Sequence, residues 1–360
     1  MQEKNKKNSN KNKKNKGKYC LGIESTAHTF GASIASFDGK ILSNIKDTFT
    51  TKSGGIIPYK AANHHVDLSQ QIIQKALKKA KLKISDISLI SFSQSPGLGH
   101  TLRIGAMAAR SLARIHNIDL IGVNHCIAHL EIGRLLTNAK DPVLLYLSGA
   151  NTQVIAYEGK KYRIFGETLD IGIGNFLDSF AREIGFGFPG GPKIYQESLN
   201  AIESAKKNSK NKKNKPHYIK LPYVVKGMDV SFGGILTNLK QKYNSGKYSK
   251  QDLCYSCQET VFAMMVEVAE RALAHCDKQE LLLGGGVACN KRLYQMCKIM
   301  CEQRNAKVYI LKPEYLVDNA AMISWLGILM YNAGNKTKIK DSDIDPYKRT
   351  DEIIVNWRDD

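Results

Sequence analysis

The sequence predicts an α/β protein built from two lobes that repeat one plan, and two stretches lead to this prediction. The first is YCLGIEST (19–26) followed by FGASIASFDGKIL (30–42), which has the pattern of two strands joined by a polar turn. The second is VLLYLSGANTQVIAYEGKKYRIF (143–165), in which an apolar strand, a small polar turn and a second strand follow in the same order. Helical and strand-like segments alternate around these hairpins, as they do in α/β lobes.

A matched tripeptide supports an internal duplication. Asp38-Gly39-Lys40 stands near the end of the first hairpin, and Glu158-Gly159-Lys160 holds the same place in the second, roughly 120 residues later. Chance similarity between two ordinary hairpins is the alternative, but the shared strand–turn–strand frame favours duplication. Two hairpin-led lobes with a cleft between them are typical of the actin, sugar-kinase and heat-shock ATPase architecture, which is ribonuclease H-like. Each lobe would then present the turn of its first hairpin to nucleotide phosphates.

The other elements follow from hydrophobic periodicity and from glycine-bearing turns. The patterns predict a helix at 66–81, a strand at 87–94, a turn and helix at 95–116, a short strand at 120–125, a long helix at 251–276, a strand, glycine turn and helix at 280–303, a strand at 307–313 and a last helix at 318–331.

These elements divide the chain into a tail, two lobes and an extension. We expect a Lys/Asn-rich, disordered tail at 1–18, a first lobe at 19–140 completed by the C-terminal helix near 320–335, a second lobe at 141–319 with a Lys-rich insertion at 206–215, and a C-terminal extension at 336–360.

The net charge of +20 is concentrated in the tail and the insertion. Residues 1–18 contribute +7 and residues 206–215 contribute +6, which leaves +7 for the rest of the chain. Both stretches are of low complexity and cannot pack a core. Solvated segments without a specific role are the simpler interpretation, and salt-sensitive attraction to phosphate is the functional one. The surplus in the remainder fits a nucleic-acid partner.

Targeting and membrane signals are absent from the sequence. The longest apolar run, 320–331, is shorter than the ~20 residues of a membrane-spanning helix. The eight cysteines are scattered, as reduced thiols of a cytosolic protein are. Cys254 and Cys257 form a CxxC in strongly helical surroundings, which favours a core-facing thiol pair over a metal site.

A histidine pair is the sharpest chemical signal in the chain. His125 and His129 stand four residues apart at the start of a predicted helix, so both rings project from one face. The helical zinc-peptidase signature has a glutamate directly after its first histidine, and Cys126 stands there instead. The pair therefore suggests a metal site that lacks the general base of a peptidase, with ordinary core histidines as the alternative.

Two ligands do not make a stable site, and spacing alone does not choose a third. Asp318 follows a predicted strand and precedes the last helix, where the end of a strand would face the cleft. A helix N-cap is an equally ordinary role for an aspartate at such a position. Both interpretations of Asp318 stay open at this point.

Three turns are candidates for nucleotide contact. The turn Glu24–Thr29 and the turn Ser148–Thr152 are rich in small and hydroxyl residues, which let the backbone approach a phosphate. Such hairpin turns also exist without a ligand. Gly284, Gly285 and Gly286 follow a buried strand and open a helix, and they favour a flat platform for a base or ribose over a plain tight turn.

Ten blocks, in the right order over roughly residues 19–335, resemble the universal tRNA threonylcarbamoyladenosine transferase family, formerly called O-sialoglycoprotein endopeptidase or glycoprotease. The amino-acid sequences of several blocks are similar to those of the archaeal and eukaryotic branch, whose members act in the KEOPS complex. The blocks are GIESTAHTFGASI, SGGIIPYKAANHH, SPGLGHTLRIGAMAARSLA, VNHCIAHLEIGR, LYLSGANTQVIAY, GETLDIGIGNFLDSFARE, PGGPKIY, KGMDVSFGGILT, LLLGGGVACN and VDNAAM.

The resemblance implies a two-lobed actin-like ATPase fold and one divalent metal ion per chain, iron or zinc. It assigns four matching positions as metal ligands: His125, His129, Tyr146 and Asp318. Two imidazoles, a carboxylate and a phenolate are acceptable to either metal.

The resemblance also implies an adenine nucleotide ligand in the form of threonylcarbamoyl-AMP, and it gives Glu24 a role on phosphate or on attacking water. Ala150 stands where the family usually has glycine, so that turn needs a conformation that tolerates a Cβ atom. Tyr195 stands where a glutamate is common, so it is not assigned the ribose contact. The nucleotide contacts are expected at Tyr146, Leu147, Ser148, Gly149, Ala150, Asp178, Gly191 and Asn290.

The activity implied by the resemblance is transfer of threonylcarbamoyl from threonylcarbamoyl-AMP to the adenosine beside the anticodon of ANN-decoding tRNAs, with the metal as Lewis acid and template. Implied partners are tRNA and KEOPS-type subunits, including a small atypical protein kinase. The implied location is cytoplasmic, with no membrane association.

Three other functions stay open. A metallopeptidase would need a glutamate in place of Cys126. A sugar or acetate kinase of the same fold would not need the histidine pair. A non-catalytic ATP-binding scaffold would tolerate loss of all four metal ligands.

Overall fold

The computed structural model describes residues 18–51, 56–207 and 216–358. The predicted tail (1–18) lies outside the described residues except for Lys18. The predicted insertion (206–215) lies outside them except for Lys206 and Lys207.

Twelve strands are found in the described part of the chain. They are β1 (Tyr19–Glu24), β2 (Thr29–Ser36), β3 (Ile41–Thr48), β4 (Ile87–Ser95), β5 (Asp119–Asn124), β6 (Val143–Leu147), β7 (Thr152–Glu158), β8 (Lys161–Glu167), β9 (Val225–Lys226), β10 (Asp229–Val230), β11 (Glu280–Gly284) and β12 (Lys307–Ile310).

The described residues also form ten α-helices. They are α1 (Pro58–Ala80), α2 (Gly99–His116), α3 (His125–Leu136), α4 (Ile173–Glu183), α5 (Gly191–Lys207), α6 (Gly233–Asn244), α7 (Lys250–His275), α8 (Lys291–Gln303), α9 (Pro313–Leu316) and α10 (Ala320–Asn332). None of them combines the length and the apolar composition that a membrane span requires.

Two mixed five-stranded sheets repeat one plan. In the first, the strand order is β3-β2-β1-β4-β5, with β1, β2 and β3 antiparallel and β4 and β5 parallel to β1. In the second, the order β8-β7-β6-β11-β12 has the same pattern, three antiparallel strands followed by two parallel ones. The α/β class predicted from the sequence is confirmed, and the equal strand orders support the internal duplication.

Each sheet belongs to its own compact unit. Among the described residues, the first unit comprises the chain up to Phe49, Ile57–Leu135 and the chain from Asp318 onward, and the second comprises the rest. Helix α10 packs on β1 and β4 of the first unit. It lies so close to β1 that a Cβ atom on Gly22 would stand 2.5 Å from the backbone nitrogen of Ser324.

The repeated tripeptides mark the tight turns between the second and third strands of each sheet. β2 ends at Ser36 and β3 begins at Ile41, so the prediction of one strand across 30–42 is wrong. Gly39 has φ +90° and Gly159 has φ +60°, which glycine adopts without strain. An acid–glycine pair at such a turn reverses the chain into a third strand, which the sequence analysis did not separate from the second.

Helix α1 begins eight residues before the position that its amphipathic pattern predicts. It starts at Pro58, where the missing N–H of proline costs nothing because first-turn amides have no partner within a helix. It ends at Ala80, and the next residue, Lys81, caps it with a left-handed φ of 56°. Between these ends, Ile72, Ile73 and Ala76 are buried in the core of the first unit.

The C-terminal extension is folded onto the first unit. The Thr337 N–H donates to the Leu120 carbonyl at 2.9 Å, and the Asp345 N–H donates to the Gln94 carbonyl at 3.0 Å. Arg110 of α2 donates from Nε to the Ser342 hydroxyl at 2.7 Å. The extension therefore adds backbone and side-chain bonds beside β4 and β5.

His65 is a fully buried histidine of α1. Its ring meets the Phe30 ring edge-on with centroids 5.6 Å apart, and its Nδ1 lies 3.2 Å from Nδ1 of His64. Burial lowers the pKa of His65 to about 4, and the charges of His64 and His28 act in the same direction.

We predict that folding stability falls between about pH 6.5 and pH 4, because the unfolded chain protonates His65 at its ordinary pKa while the folded chain resists protonation until near pH 4. His65→Gln should flatten this part of the stability curve by up to about 3 kcal/mol, measured by urea unfolding at stepped pH. Phe30→Leu is the control, because it should lower stability by one amount throughout the range. An unchanged slope in His65→Gln would rule this residue out as the source.

Candidate functional site

The histidine pair lies on the first turns of α3 because Asn124 caps that helix. The Asn124 Oδ1 accepts the N–H groups of Cys126 at 3.0 Å and Ile127 at 3.2 Å. His125 and His129 are both buried, and their ring centroids are 4.8 Å apart. The structure thus brings the two rings together as the four-residue spacing predicts.

Asp318 joins this pair from the segment before α10. Its Oδ1 lies 3.4 Å from Nε2 of His125 and 3.6 Å from Nε2 of His129. The neighbouring residue, Asn319, caps α10 by accepting the Met322 N–H at 3.2 Å, so Asp318 is not the N-cap. Lys46 fixes this segment further, since its Nζ donates to the Asp318 carbonyl at 3.0 Å.

Glu24 supports the pair from the end of β1. Its side chain is wholly buried, and its Oε2 lies 3.0 Å from Nδ1 of His125. Its other oxygen accepts the backbone N–H and the hydroxyl of Thr26. This carboxylate holds the ring nitrogen of His125 that faces away from Asp318, an arrangement typical of the residues that orient metal-bound histidines.

The protonation states of these groups depend on one another. Burial acts to lower the pKa of His125, but the charge of Glu24 and hydrogen bonds to Asp318 and Glu24 raise it well above its usual range. Burial lowers the pKa of His129, against the opposing effect of the adjacent Asp318 carboxylate. Burial acts to raise the pKa of Asp318, yet the adjacent imidazoles of His125 and His129 hold it well below its usual range. Asp318 is therefore a charged carboxylate inside the protein.

The three side chains fit a transition-metal ion. One donor atom from each of His125, His129 and Asp318 lies within 4.8 Å of the other two. Ligands bound at ~2.1 Å in tetrahedral geometry lie about 3.4 Å apart. The distances of 3.4 and 3.6 Å from Asp318 agree with this spacing. A divalent cation would also balance the buried carboxylate of Glu24 and the part-buried carboxylate of Asp318 beside neutral imidazoles.

Tyr146 belongs to the second unit. It is buried in β6, where its register partners are Gln153 of β7 and Gly284 of β11. Its assignment as a fourth metal ligand stays a prediction.

The turn after β6 is closed by hydrogen bonds between Ser148 and Asn151. The Ser148 N–H donates to the Asn151 carbonyl at 2.8 Å, and the Asn151 N–H donates to the Ser148 hydroxyl at 3.0 Å. Gly149 and Ala150 at its tip are exposed. Ala150 is not among the residues with positive φ in the described chain, so the turn accepts its Cβ atom.

The glycine platform lies directly beside this turn. Gly285 has φ +87°, and a Cβ atom there would stand 2.3 Å from the Leu147 carbonyl oxygen. Gly286 begins a short 3-10 helix, and a Cβ atom there would meet its nearest neighbour at 3.9 Å. Among Gly284–Gly286, therefore, Gly285 is the position where both the positive φ and the nearby Leu147 carbonyl exclude a side chain.

Two further glycines, which the sequence analysis did not single out, bring α4 against the same turn. Cβ atoms on Gly172 and Gly174 would stand 2.3 Å and 2.7 Å from atoms of Gly149. The Asn175 N–H at the start of α4 donates to the Gly149 carbonyl at 2.9 Å. The G-x-G spacing in DIGIGN is the sequence signal for this close approach.

The remaining predicted nucleotide contacts are structural neighbours in the second unit. The Asp178 Oδ1 accepts the Gly190 N–H at 2.7 Å, which brings Asp178 of α4 next to Gly191 at the start of α5. Asn290 caps α8 by accepting the Arg292 N–H at 2.8 Å, and its amide donates to Gln258 at 2.9 Å. Assignment of these residues to nucleotide binding stays a prediction.

The cysteine pair of α7 lies in the core. Cys254 and Cys257 are fully buried, and burial raises the pKa of Cys254 to about 12 and that of Cys257 well above its usual range. Within the described residues, neither belongs to a group of three candidate metal ligands. The interpretation as core thiols agrees with this burial.

A known structure shares the fold. HypF of Thermococcus kodakarensis aligns with a TM-score of 0.59 at 13% identity, over 88% of this chain and 48% of that chain. At this identity the likeness shows the fold alone. It agrees with the predicted two-lobed, actin-like class, so fold and side chains together define an α/β protein in which two buried histidines face a part-buried carboxylate.

Sequence comparison identifies the particular family. The profile of the TsaD family, described as tRNA N6-adenosine threonylcarbamoyltransferase, matches residues 40–325. The tRNA N6-adenosine threonylcarbamoyltransferase of Thermococcus kodakarensis is 52% identical over 337 residues, covering 94% of this chain and 99% of that protein. A probable bifunctional tRNA threonylcarbamoyladenosine biosynthesis protein of Methanosarcina barkeri is 49% identical, covering 95% of this chain and 60% of that protein. The chain belongs to the tRNA N6-adenosine threonylcarbamoyltransferase family.

We predict that the purified protein carries about one transition-metal ion per chain, and that His125→Ala or Asp318→Ala removes most of it. Glu24→Gln should weaken metal affinity about tenfold, because it keeps its size but loses the charge beside His125. Elemental analysis and chelator competition measure both effects, with His100→Ala on the exposed side of α2 as the control. Wild-type protein that is metal-free after purification without chelators and that fails to bind added metal would contradict the site.

We predict that Gly285→Ala destabilises the protein by about 3 kcal/mol or more, because it combines a strained φ with a clash against the Leu147 carbonyl. Gly286→Ala, one residue away, should change stability by less than about 1 kcal/mol because its surroundings are open. Chemical denaturation of both variants gives the comparison. Equal stabilities would show that the close approach at Gly285 relaxes at little cost.

Proposed function

We propose that this chain transfers the threonylcarbamoyl group of threonylcarbamoyl-AMP to the exocyclic amine of the adenosine beside the anticodon of ANN-decoding tRNAs. The single observation that carries the proposal is the group formed by the buried His125 and His129 with the part-buried Asp318, with ligand spacings of 3.4 and 3.6 Å, in a member of this family.

One divalent ion per chain, iron or zinc, would be held by the two histidines and Asp318, with Tyr146 as a fourth ligand. When bound, this ion supplies Lewis-acid polarisation and a fixed point for the activated carbonyl. Glu24 takes the role of a positioning residue rather than a base. Its buried carboxylate already engages His125 and Thr26, which leaves it poorly placed to meet water or phosphate.

The adenylate would lie against the turn of the second unit. The exposed Gly149 and Ala150 offer backbone close to a phosphate, and the exposed Gly286, which follows the buried Gly284 and Gly285, offers a position without a side chain for the ribose or base. Asp178, Gly191 and Asn290 would add polar contacts to the nucleotide. Leu147 and Ser148 take part through their backbone, because Leu147 is buried and Ser148 bonds to Asn151.

The transfer is balanced without an added oxidant or reductant. The adenosine nitrogen forms a bond to the carbamoyl carbon, and the bond from that carbon to the phosphate oxygen breaks. Adenosine monophosphate leaves with the bonding electrons, and the nitrogen releases one proton. An exocyclic amine is a weak nucleophile, so holding both partners in place supplies much of the rate enhancement.

The competing functions fit the site less well. A helical zinc peptidase needs a carboxylate where Cys126 stands, and Cys126 is buried with its pKa raised by burial. A sugar or acetate kinase has no use for the buried His-His-Asp group. A scaffold without catalysis would not require its ligands at metal-binding distances.

We further propose tRNA as the substrate partner, KEOPS-type subunits including a small atypical protein kinase as protein partners, and a cytoplasmic location. The name of the Methanosarcina barkeri relative, a probable bifunctional biosynthesis protein, supports cooperation with a second function, because this chain covers 60% of its length. The positive charge outside the two Lys/Asn-rich stretches is consistent with a polyanionic substrate.

The reaction is tested by reconstitution with such partners, labelled threonylcarbamoyl-AMP and transcript tRNA, followed by nucleoside digestion. We predict label in adenosine, reduced at least tenfold by His129→Ala because the metal is lost, and release of adenosine monophosphate. His100→Ala should retain the wild-type yield. No label in tRNA, together with peptide cleavage or sugar phosphorylation by the same preparation, would contradict the proposed function.

A further inference from the structure

Helix α3 is buried on nearly every side, not only where its histidines meet Asp318. All residues from His125 to Gly133 are buried. At 100° per residue, Glu131 projects about 140° away from the middle of the face that His125 and His129 share, and Cys126 flanks that face. Both side chains are in contact with the segment 337–358, which we call the C-terminal strap.

The strap bonds to α3 at two points. The Thr350 hydroxyl is hydrogen-bonded to the Cys126 thiol, one residue after His125. The Trp357 Nε1–H donates to Glu131 Oε1 at 2.8 Å, two residues after His129. Thr350 and Glu131 are 2% and 1% exposed, so both contacts are shielded from water.

The bond to Glu131 is the stronger constraint. A buried carboxylate requires charge-balancing or hydrogen-bonding partners, and an N–H donated to a charged group is worth more than one between neutral groups. Arg134 Nη1 lies 3.0 Å from Glu131 Oε2, but it sits on the same helix and cannot fix α3 to anything else. Trp357 reaches Glu131 from 226 residues away and ties the helix to the strap.

The strap is itself anchored to the sheet. Thr337 pairs with the edge of β5 through the Leu120 carbonyl, and its hydroxyl accepts the Gly122 N–H at 3.0 Å. The Gly97 N–H donates to the Pro346 carbonyl at 3.1 Å. The Trp357–Glu131 bond therefore connects α3 to a segment fixed at several points, and the histidine helix is held between Glu24 and Asp318 on one face and the strap on the other.

We propose that Trp357 is a positioning residue for the metal centre: through Glu131 it fixes the rotation and height of α3, and so the placement of His125 and His129 toward Asp318. This inference rests on the proposed metal site. It assigns a role to the end of the chain, which lies beyond the 40–325 span matched by the family profile.

The chain offers a matched control in its other tryptophan. Trp325 and Trp357 line the same cavity of 530 Å³, beside Arg134. Trp325 belongs to α10, whereas the indole N–H on Glu131 is that of Trp357. Val355 offers a second control, because it is a buried strap residue, 4% exposed, whose side chain has no polar atom to bond α3.

The test compares Trp357→Phe with Trp325→Phe and Val355→Ala in the full-length chain. Phenylalanine keeps the aromatic bulk of Trp357 but removes its N–H. We expect Trp357→Phe to raise the dissociation constant of added Zn²⁺ about five- to tenfold in chelator competition, and to shift the visible absorption bands of the Co²⁺-substituted protein. Trp325→Phe and Val355→Ala should lower the melting temperature without either change.

The outcomes separate this inference from the proposed function. Unchanged metal affinity and an unchanged Co²⁺ spectrum in Trp357→Phe, with wild-type protein binding metal, overturn the positioning role and leave the metal site standing. Equal losses of affinity in Trp357→Phe and Val355→Ala also overturn it, because the effect is then general destabilisation. Wild-type protein that binds neither Zn²⁺ nor Co²⁺ overturns both proposals.

Discussion

The structure of the first unit depends on ion pairs among charged side chains that have little contact with water. Asp318 is held as a carboxylate by His125 and His129, and Glu24 is wholly buried against His125. An isolated buried charge costs several kcal/mol, so each of these groups is tolerable only while the others stand within hydrogen-bonding reach. This requirement fixes three elements at once: the end of β1, the first turns of α3 and the segment that leads into α10.

The need to pair these charges explains why polar residues stand next to them in the sequence. Asn124 caps α3 and Asn319 caps α10. The adjacent His125 and Asp318 therefore do not serve as N-caps, and their side chains face each other. Thr26 occupies one oxygen of Glu24, which leaves the other for His125. A divalent cation at the centre would neutralise the two negative charges of Glu24 and Asp318. Metal binding would therefore stabilise this unit as well as supply its proposed chemistry.

The second unit has the same sheet plan but a different kind of first turn. Where β1 ends in a buried carboxylate, β6 ends in a turn whose tip is exposed backbone. Glycine makes this possible, since Gly172, Gly174 and Gly285 let α4 and the loop after β11 approach the turn more closely than any Cβ atom would permit. The two units therefore share one strand order, but the turn after β1 contributes a buried side chain and the turn after β6 presents main chain.

Much of this could be predicted from the sequence, and the limits have physical causes. The strands, the long helices and the histidine pair follow from local periodicity, which short-range interactions determine. β3 was missed because the turn at Asp38-Gly39-Lys40, where Gly39 has positive φ, was taken as part of one strand. The bond from Glu24 to His125 and the bond from Trp357 to Glu131 span 101 and 226 residues, and no local pattern reports such contacts. The sequence also could not show that Asn319 rather than Asp318 caps α10, because aspartate and asparagine both serve as N-caps.

The central claim is that a metal ion is held by imidazole and carboxylate in the first unit, and X-ray absorption spectroscopy of the metal-loaded protein tests it most directly. The account predicts a first shell of nitrogen and oxygen at about 2.0–2.2 Å with imidazole scattering, lost in the His125→Ala variant. A sulfur shell at about 2.3 Å would place the metal on cysteines instead and contradict the account.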